Sequence, residues 1–489
     1  MNIKQKAIQG VVWSVIQNWG SQAGSLIVFL ILARLLTPEA FGLVALANVF
    51  LAFMQIFLEQ GFTQALIQRQ ELEPEHLDTA FWTNFFSGIL LTIIGFAFAS
   101  SVANIFNQPK LIPILQCFSG LFVINSLSHV HQAILSRELA FKIMAVRTLI
   151  GILIGGIVGV VMAVSGFGVW SLVSQQVVFE TVCVIVMWQA VDWRPKLKFS
   201  QKHFQELFHF GINVVGFKFL KFFNKRSDNL LIGYFLGEVA LGYYAIAYRV
   251  LQVMTQLLVS TSNQVALPTF SKLQALPERF RQAFYKATQF TSLIAFPTFI
   301  GMATLTPELV TFLFGKEWLP SIPVMQILTF SGIIHTLSYF NASVFMAMGK
   351  PSWRLWLSFI EALFSIVACL FAVQWGIVAV ALAYVISIYL VFPISQAAVS
   401  KLIHVPILIY LQQFMTSLMA STVMATAILM TKYFLVNFLD AKFILLIGTM
   451  IGIIVYSLTI RLIDPKLFQY VWELFRIVFS KKKPNLLKS

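Results

Sequence analysis

Lys218, Lys221 and Lys225 follow one another at spacings of three and four residues, which places three amines on one face of a helix. The stretch that carries them, Leu207 to Leu236, is otherwise mostly apolar; at ~1.5 Å per residue it reaches ~45 Å, enough to cross a bilayer. A charge at mid-membrane costs roughly 2.5–3.5 kcal/mol on insertion scales. Three on one face therefore call for water, a partner or an anionic ligand. An ammonium in low dielectric attracts phosphate and carboxylate strongly, so Lys218 and Lys221 are the first candidates for holding an anion. The competing reading is snorkelling, above all for Lys225 and Arg226, which lie nearer the far end of the span.

Other ionisable groups fall inside apolar stretches. Arg249 lies about 12 Å down the following span and is a further anion-binding candidate. Asp228 is placed to pair with it, as a structural ion pair or as a gate. Glu180, Glu361 and His335 are the groups able to carry a coupling proton, with ion pairing or polar helix contacts as the competing role. No phosphate loop, zinc motif or nucleophile elbow occurs. His129 and His131 diverge on a helix, and Cys117, Cys183 and Cys369 are dispersed in apolar segments. Neither a metal, a disulfide, a cofactor nor a catalytic centre is expected.

The elements that position these residues are membrane helices. The 489-residue chain is 58% hydrophobic and 11% charged, against about 25% charged in soluble domains. The expected fold is an all-α polytopic membrane protein with about 14 transmembrane helices. The spans are expected near 11–34, 41–64, 80–104, 111–135, 146–165, 168–190, 207–236, 241–266, 287–314, 322–348, 353–373, 375–400, 411–435 and 441–462. Turn signals separate them at Thr37-Pro38, Gln108-Pro109, Ser165-Gly166, Leu319-Pro320 and Gly349-Lys350-Pro351. The N-terminal run, interrupted by Trp13, Gln17, Asn18 and Gln22, reads as the first span and not as a cleaved signal. Gly155, Gly156 and Gly159 form a small-residue stripe suited to close helix packing.

Lys and Arg crowd the alternate loops that share a side with the termini; Arg34, Lys110, Lys316, Lys432 and Lys442 are those on the other side. This bias predicts both termini in the cytoplasm. The net charge of +15 is then topology and attraction to anionic lipid, not nucleic-acid binding. Two interfacial helices are expected, an elbow around Phe199, Phe204, Leu207 and Phe208, and a tail helix over Leu467–Phe475 followed by Lys481–Lys483.

The chain also repeats itself. At an offset of 200, Leu30, Leu36, Ala40, Gly42, Ala45, Ala47, Leu51, Met54, Leu58 and Gln64 meet identical residues, without a gap. Spans one and two are thus equivalent to seven and eight, giving two parallel six-helix bundles around a central cavity, plus two C-terminal helices. The expected organisation is an N-terminal bundle 1–190, a linker 191–206, a second bundle 207–400, two accessory helices 401–462 and a basic tail 463–489. Lys218, Lys221 and Lys225 align with Asn18, Ser21 and Ser25. The cavity should accordingly have a wall of amides and hydroxyls and a cationic wall.

Five stretches resemble a known group: Leu32–Gly42 (LARLLTPEAFG), Glu59–Arg69 (EQGFTQALIQR), Arg137–Lys142 (RELAFK), Gly166–Val173 (GFGVWSLV) and Asp228–Ala245 (DNLLIGYFLGEVALGYYA). In order and spacing they resemble the polysaccharide flippases of the multidrug/oligosaccharidyl-lipid/polysaccharide exporter superfamily, of O-antigen and colanic-acid type. The resemblance implies alternating access in a bacterial plasma membrane. It implies an undecaprenyl-pyrophosphate-linked oligosaccharide as cargo, with membrane lipid, a polysaccharide polymerase and glycosyltransferases as partners. Lipid II flippases of similar fold carry arginines in the first two helices, where this chain has only Arg34 and, near the inner end, Glu59. A cation-coupled multidrug exporter, or a membrane-embedded polymerase or glycosyltransferase, is the alternative. The first helix has no acid for drug–cation coupling, and no loop is long enough for a catalytic domain.

Overall fold

A bilayer offers no water to backbone N–H and C=O groups, so a chain this apolar must close its hydrogen bonds within helices. The computed structural model describes residues 3–58, 61–69 and 72–469, and among them the regular structure is helical. The elements are α1 (Ile3–Leu35), α2 (Pro38–Leu58), α3 (Phe62–Gln68), α4 (Pro74–Ile105), α5 (Leu111–Ser126), α6 (His129–Arg137), α7 (Phe141–Val164), α8 (Val169–Ala190) and α9 (Gln201–Leu273). They continue as α10 (Pro277–Leu313), α11 (Ser321–Leu337), α12 (Tyr339–Ala347), α13 (Pro351–Ala372), α14 (Ile377–Ile403), α15 (Ile407–Leu435) and α16 (Ala441–Ile463).

Twelve described helices are long and apolar enough to span, and the bent pair α5–α6 makes one more. One of the twelve, Lys218–Leu258, is long enough for two crossings, and Gly237 divides it. Its φ of 81° lies where residues with a Cβ are strained, which is why a glycine sits at this break. The expected number of about fourteen spans is roughly consistent with these twelve or thirteen among the described residues. The element order repeats as well: α5–α6 and α11–α12 are each a long helix, a break and a nine-residue helix, and each is followed by a full span.

The expected elbow is not a separate helix. α9 begins at Gln201 and stays helical into span seven, because Phe204 and Leu207 pack into a core with Phe62, Leu66, Phe81 and Val130 and leave no reason to turn. Of the expected tail helix, Leu467 packs with Leu293, Ala420 and Ile460; residues from 470 on, Lys481–Lys483 included, lie outside the described residues, as does Glu59.

Two compact units are formed. The first comprises Met1–Val253 with Leu355–Ser387, the second Met254–Arg354 with Ile388–Ser489. These limits differ from those of the sequence repeat. In the first unit the glycine stripe of α7 lets α8 approach closely: a Cβ on Gly155 would sit 2.8 Å from the Gln175 carbonyl oxygen. In the second, α10, α15 and α16 pack through Leu305, Met424 and Ile428, and the Glu308 carboxylate, shielded from solvent, takes a 2.7 Å ion pair from Lys432. These three helices also line an apolar hollow of about 460 Å³.

Candidate binding cavity

The first unit encloses a cavity of about 530 Å³. α1 supplies Ser21, Gln22 and Ser25, α2 supplies Asn48, and α8 supplies Gln175 and Gln176. α9 supplies Arg226, Asn229, Tyr248, Arg249 and Gln252. No Asp or Glu lines it among the described residues; its polar lining is neutral hydrogen-bonding groups and two guanidinium ions, set among apolar residues such as Phe29, Leu32, Phe41, Leu172 and Phe179. Amides inside membrane helices are costly unless they face polar company, and here they face one another and the cavity. Arg249 Nη2 donates to Ser25 Oγ at 2.9 Å, joining the cationic wall to the hydroxyl wall. Asn229 Oδ1 is buried and lacks a hydrogen-bond partner among the described residues.

A reciprocal backbone contact lies beside the cavity. A Cβ built on Gly42 would run into the Glu238 carbonyl oxygen, and one on Gly242 into the Pro38 carbonyl oxygen. Both pairs, 38 with 238 and 42 with 242, are equivalents under the offset of 200. The first turn of α2 and the stretch of α9 just past Gly237 thus meet through matching surfaces, as in a two-fold contact. Phe41, Ala45 and Ala245, next to these glycines, line the cavity. The seam is reinforced by a Gln108 amide that donates to the Glu238 carboxylate, and by a 2.6 Å ion pair of Lys110 with Glu39. That pair raises the Lys110 pKa above the ordinary lysine value.

The residues singled out from sequence are only partly brought together. Arg249 lines the cavity; Lys218, Lys221 and Lys225 do not. Lys221 and Lys225 are exposed and Lys218 is half-buried. The reason is register: Arg226 and Asn229 are the residues of this part of α9 that reach the cavity, and the lysine row lies mostly nearer its N-terminal end. Asp228 and Arg249 are not paired. Asp228 lies behind the wall, accepting from Tyr244 Oη at 2.8 Å and from the Asn229 N–H at 2.7 Å, while Arg249 turns to Ser25. A buried carboxylate satisfied twice needs no guanidinium. Glu180 accepts from Gln176 Nε2 at 3.1 Å, one turn from the lining. Glu361 of α13 and His335 of α11 lie outside the lining. The glutamines of α8, Asn48, Gln252 and Asn229 were not singled out; their signal was an amide within an apolar span.

Comparison with known proteins places this arrangement in context. A family model described as polysaccharide biosynthesis protein matches residues 31–323. The chain is 26% identical over 471 residues to the succinoglycan biosynthesis transport protein ExoT of Rhizobium meliloti (strain 1021), covering 96% of this chain and 95% of that one. It is 25% identical over 428 residues to the teichuronic acid biosynthesis protein TuaB of Bacillus subtilis (strain 168), covering 86% and 88%. Among solved structures, the lipid II flippase MurJ in an inward closed conformation matches with a TM-score of 0.78 over 95% of this chain and all of the other, at 17% identity. At that identity the likeness is one of fold.

Proposed function

The chain belongs to the family of polysaccharide biosynthesis proteins, and from that premise we propose that it is a flippase for lipid-linked oligosaccharides. It is a multi-pass membrane protein, and its relatives include a transport protein of succinoglycan biosynthesis. The cargo in this reading is a glycan on undecaprenyl pyrophosphate, moved from the cytoplasmic to the outer leaflet of a bacterial plasma membrane. Both termini are cytoplasmic in this topology. The seam at Gly42 and Gly242 then lies at the outer end, and the cavity is loaded from the cytoplasmic side.

The observation that carries the reading is the make-up of the cavity. Arg226 and Arg249 supply charge-assisted hydrogen bonds to a diphosphate. Gln22, Asn48, Gln175, Gln176 and Gln252 supply donors and acceptors to sugar hydroxyls. Its size falls in the range of small-molecule sites, about 300–1,000 Å³, which suits a diphosphate with its first sugars. Lys218, Lys221 and Lys225 form a cationic track that draws the headgroup toward the arginines, and the polyprenyl tail stays in lipid. The six-helix bundles 1–190 and 207–400, joined by the 191–206 linker, rock against each other to open the seam. The accessory helices 401–462 and the tail 463–489 flank them. Glu180, Glu361 and His335 are the candidates for ion coupling. The polymerase and glycosyltransferases that use and make the cargo are the expected partners. A drug exporter coupled to cations would place an acid in the cavity, and none lines it.

The test is translocation of a fluorescent undecaprenyl-pyrophosphate-linked oligosaccharide in proteoliposomes. Wild type should transport it, and an Arg226→Ala/Arg249→Ala variant of normal insertion should not. Failure of the wild type under every ion gradient would overturn the reading.

A further inference from the structure

Away from the cavity, at the N-terminal end of α4, four chemistry-bearing side chains converge that no part of the transport reading uses. Glu73 is the N-cap of α4 and His76 its third residue, while His203 and Glu206 lie one turn apart near the start of α9. One ligand atom each from Glu73, His76 and His203 lie within 4.8 Å of one another. The imidazole rings overlap at 3.8 Å between centroids. His203 Nε2 is 3.3 Å from a Glu73 carboxylate oxygen and 4.0 Å from one of Glu75. Glu206 Oε2 lies 3.5 Å from His76 Nε2 and 3.8 Å from His203 Nδ1.

Burial makes this cluster more than a surface coincidence. His76 is 1% exposed and His203 6%. His203 Nδ1 is a buried atom without a hydrogen-bond partner among the described residues, and His76 Nε2 has only the 3.5 Å contact to Glu206. Buried imidazole nitrogens are rarely left so. The surroundings are also fixed in advance: the Lys196 N–H donates to Asp78 Oδ1 at 3.0 Å, and the Ser200 N–H to Thr79 Oγ1 at 3.1 Å. Arg69 sits 2.7 Å from Glu206 and holds its carboxyl below the usual range, and Lys198 pairs with Glu75 at 3.3 Å. Glu73, Glu75 and Glu206 meet Arg69, Lys198 and Lys202, so the cluster's draw on an ion comes from its donor atoms and not from an excess of negative charge.

We propose that Glu73, His76 and His203, with Glu206 beside them, bind a divalent transition-metal ion of the zinc class, which fastens the start of α9 to the start of α4. Two imidazoles and a carboxylate form a donor set that such ions favour over Mg²⁺ or Ca²⁺. One local bond must yield. His76 Nδ1 accepts the Glu73 N–H at 3.2 Å, so the neutral ring carries its proton on Nε2. On binding, Nε2 takes the ion, the proton moves to Nδ1, and that hydrogen bond opens. The ion thus replaces one half of the capping box of α4.

The experiment uses full-length protein without a polyhistidine tag, stripped by chelator in detergent, and titrated with Co²⁺ and then Zn²⁺. Wild type should take up one equivalent of Co²⁺ with visible d–d bands, and Zn²⁺ should displace it. His76→Gln and His203→Gln should each weaken binding by at least about 100-fold, beyond the effect of losing an outer-shell partner. His404→Gln should bind as wild type does. X-ray absorption of the wild-type Zn²⁺ form needs no variant to fold, and should show nitrogen and oxygen donors at about 2.0–2.2 Å with two imidazoles. Absence of saturable uptake at micromolar metal, undiminished binding in the His76→Gln/His203→Gln double variant, or a shell with fewer than two imidazoles each overturns the proposal.

Discussion

Gly42 and Gly242 are equivalent under the repeat and do equivalent things, each admitting the other element's carbonyl oxygen. Ser21 and Ser25 have equivalents by the same offset, Lys221 and Lys225, yet the serines line the cavity and the lysines do not. The first pair is constrained by backbone geometry, since any side chain larger than hydrogen collides. The second is constrained only by what the surroundings tolerate. α1 and α9 therefore turn different faces to the cavity, and the cationic wall comes from Arg226 and Arg249. A repeat predicts which backbones approach; it does not predict which side chains an asymmetric ligand meets.

The largest expected effect breaks the cationic side of this comparison. Hydrogen bonds to charged groups contribute about 1.5–3 kcal/mol each. Replacing Arg226 and Arg249 together with alanine should lower transport by at least about 100-fold, measured as the initial rate of translocation in proteoliposomes. Retention of transport would move the anion site to the lysine row. The next effect breaks the symmetric side. Gly42→Val and Gly242→Val each force a side chain into a carbonyl oxygen, and overpacking of this kind costs about 1–3 kcal/mol. Both variants should destabilise the sealed state to a similar degree. Labelling of Gln252→Cys by a membrane-impermeant thiol reagent from outside should rise in both. A rise in only one would show that the contact is not reciprocal in energy, whatever its geometry.

How much of this was legible in the sequence follows the same division. Span positions, the breaks at Gln108-Pro109 and Gly349-Pro351, and the repeat are written in hydropathy and punctuation, and each is found in the structure. The alignment of the repeats pointed to an amide and hydroxyl wall and to a cationic wall of Lys218, Lys221 and Lys225; those lysines lie outside the lining, and its cations are Arg226 and Arg249. The face of α9 was not legible. Arg226 and Lys225 are neighbours in sequence, so their hydropathy is the same to any window, and a turn of 100° decides which reaches the cavity. Asp228 was misassigned to Arg249 because distance along the chain takes no account of Tyr244, which satisfies the carboxylate instead. The His76–His203 cluster was invisible for a different reason. Its members belong to separate elements, and no local spacing links them.

A smaller effect tests the bond that joins the two walls. Ser25→Ala removes the acceptor of Arg249 but leaves its charge, and a hydrogen bond to a charged group at a solvated cavity is worth about 1.5 kcal/mol at the low end. Apparent affinity for the lipid-linked substrate should fall about tenfold or less. The Arg249→Ala and Ser25→Ala effects should be non-additive in a double-mutant cycle, because both remove the same contact. Additivity would mean that Arg249 leaves Ser25 when cargo binds.

The smallest effect should come from the residues that first drew attention. Lys221→Ser with Lys225→Ser makes α9 match α1 at two positions, and so asks whether the ammonium groups bind cargo or only steer it. As exposed groups outside the lining, they act through the field, and charges at such sites contribute a few tenths of a kcal/mol each, screened over about 10 Å at 0.1 M salt. Transport should slow about two- to threefold at low ionic strength, and the difference from wild type should vanish at high salt. A salt-independent loss as deep as that of the arginine pair would place the amines in direct contact with the headgroup. α9 would then have to turn during transport so that the lysine row replaces Arg226 at the cavity. The asymmetry between the repeats would in that case belong to one state of the cycle and not to the fold.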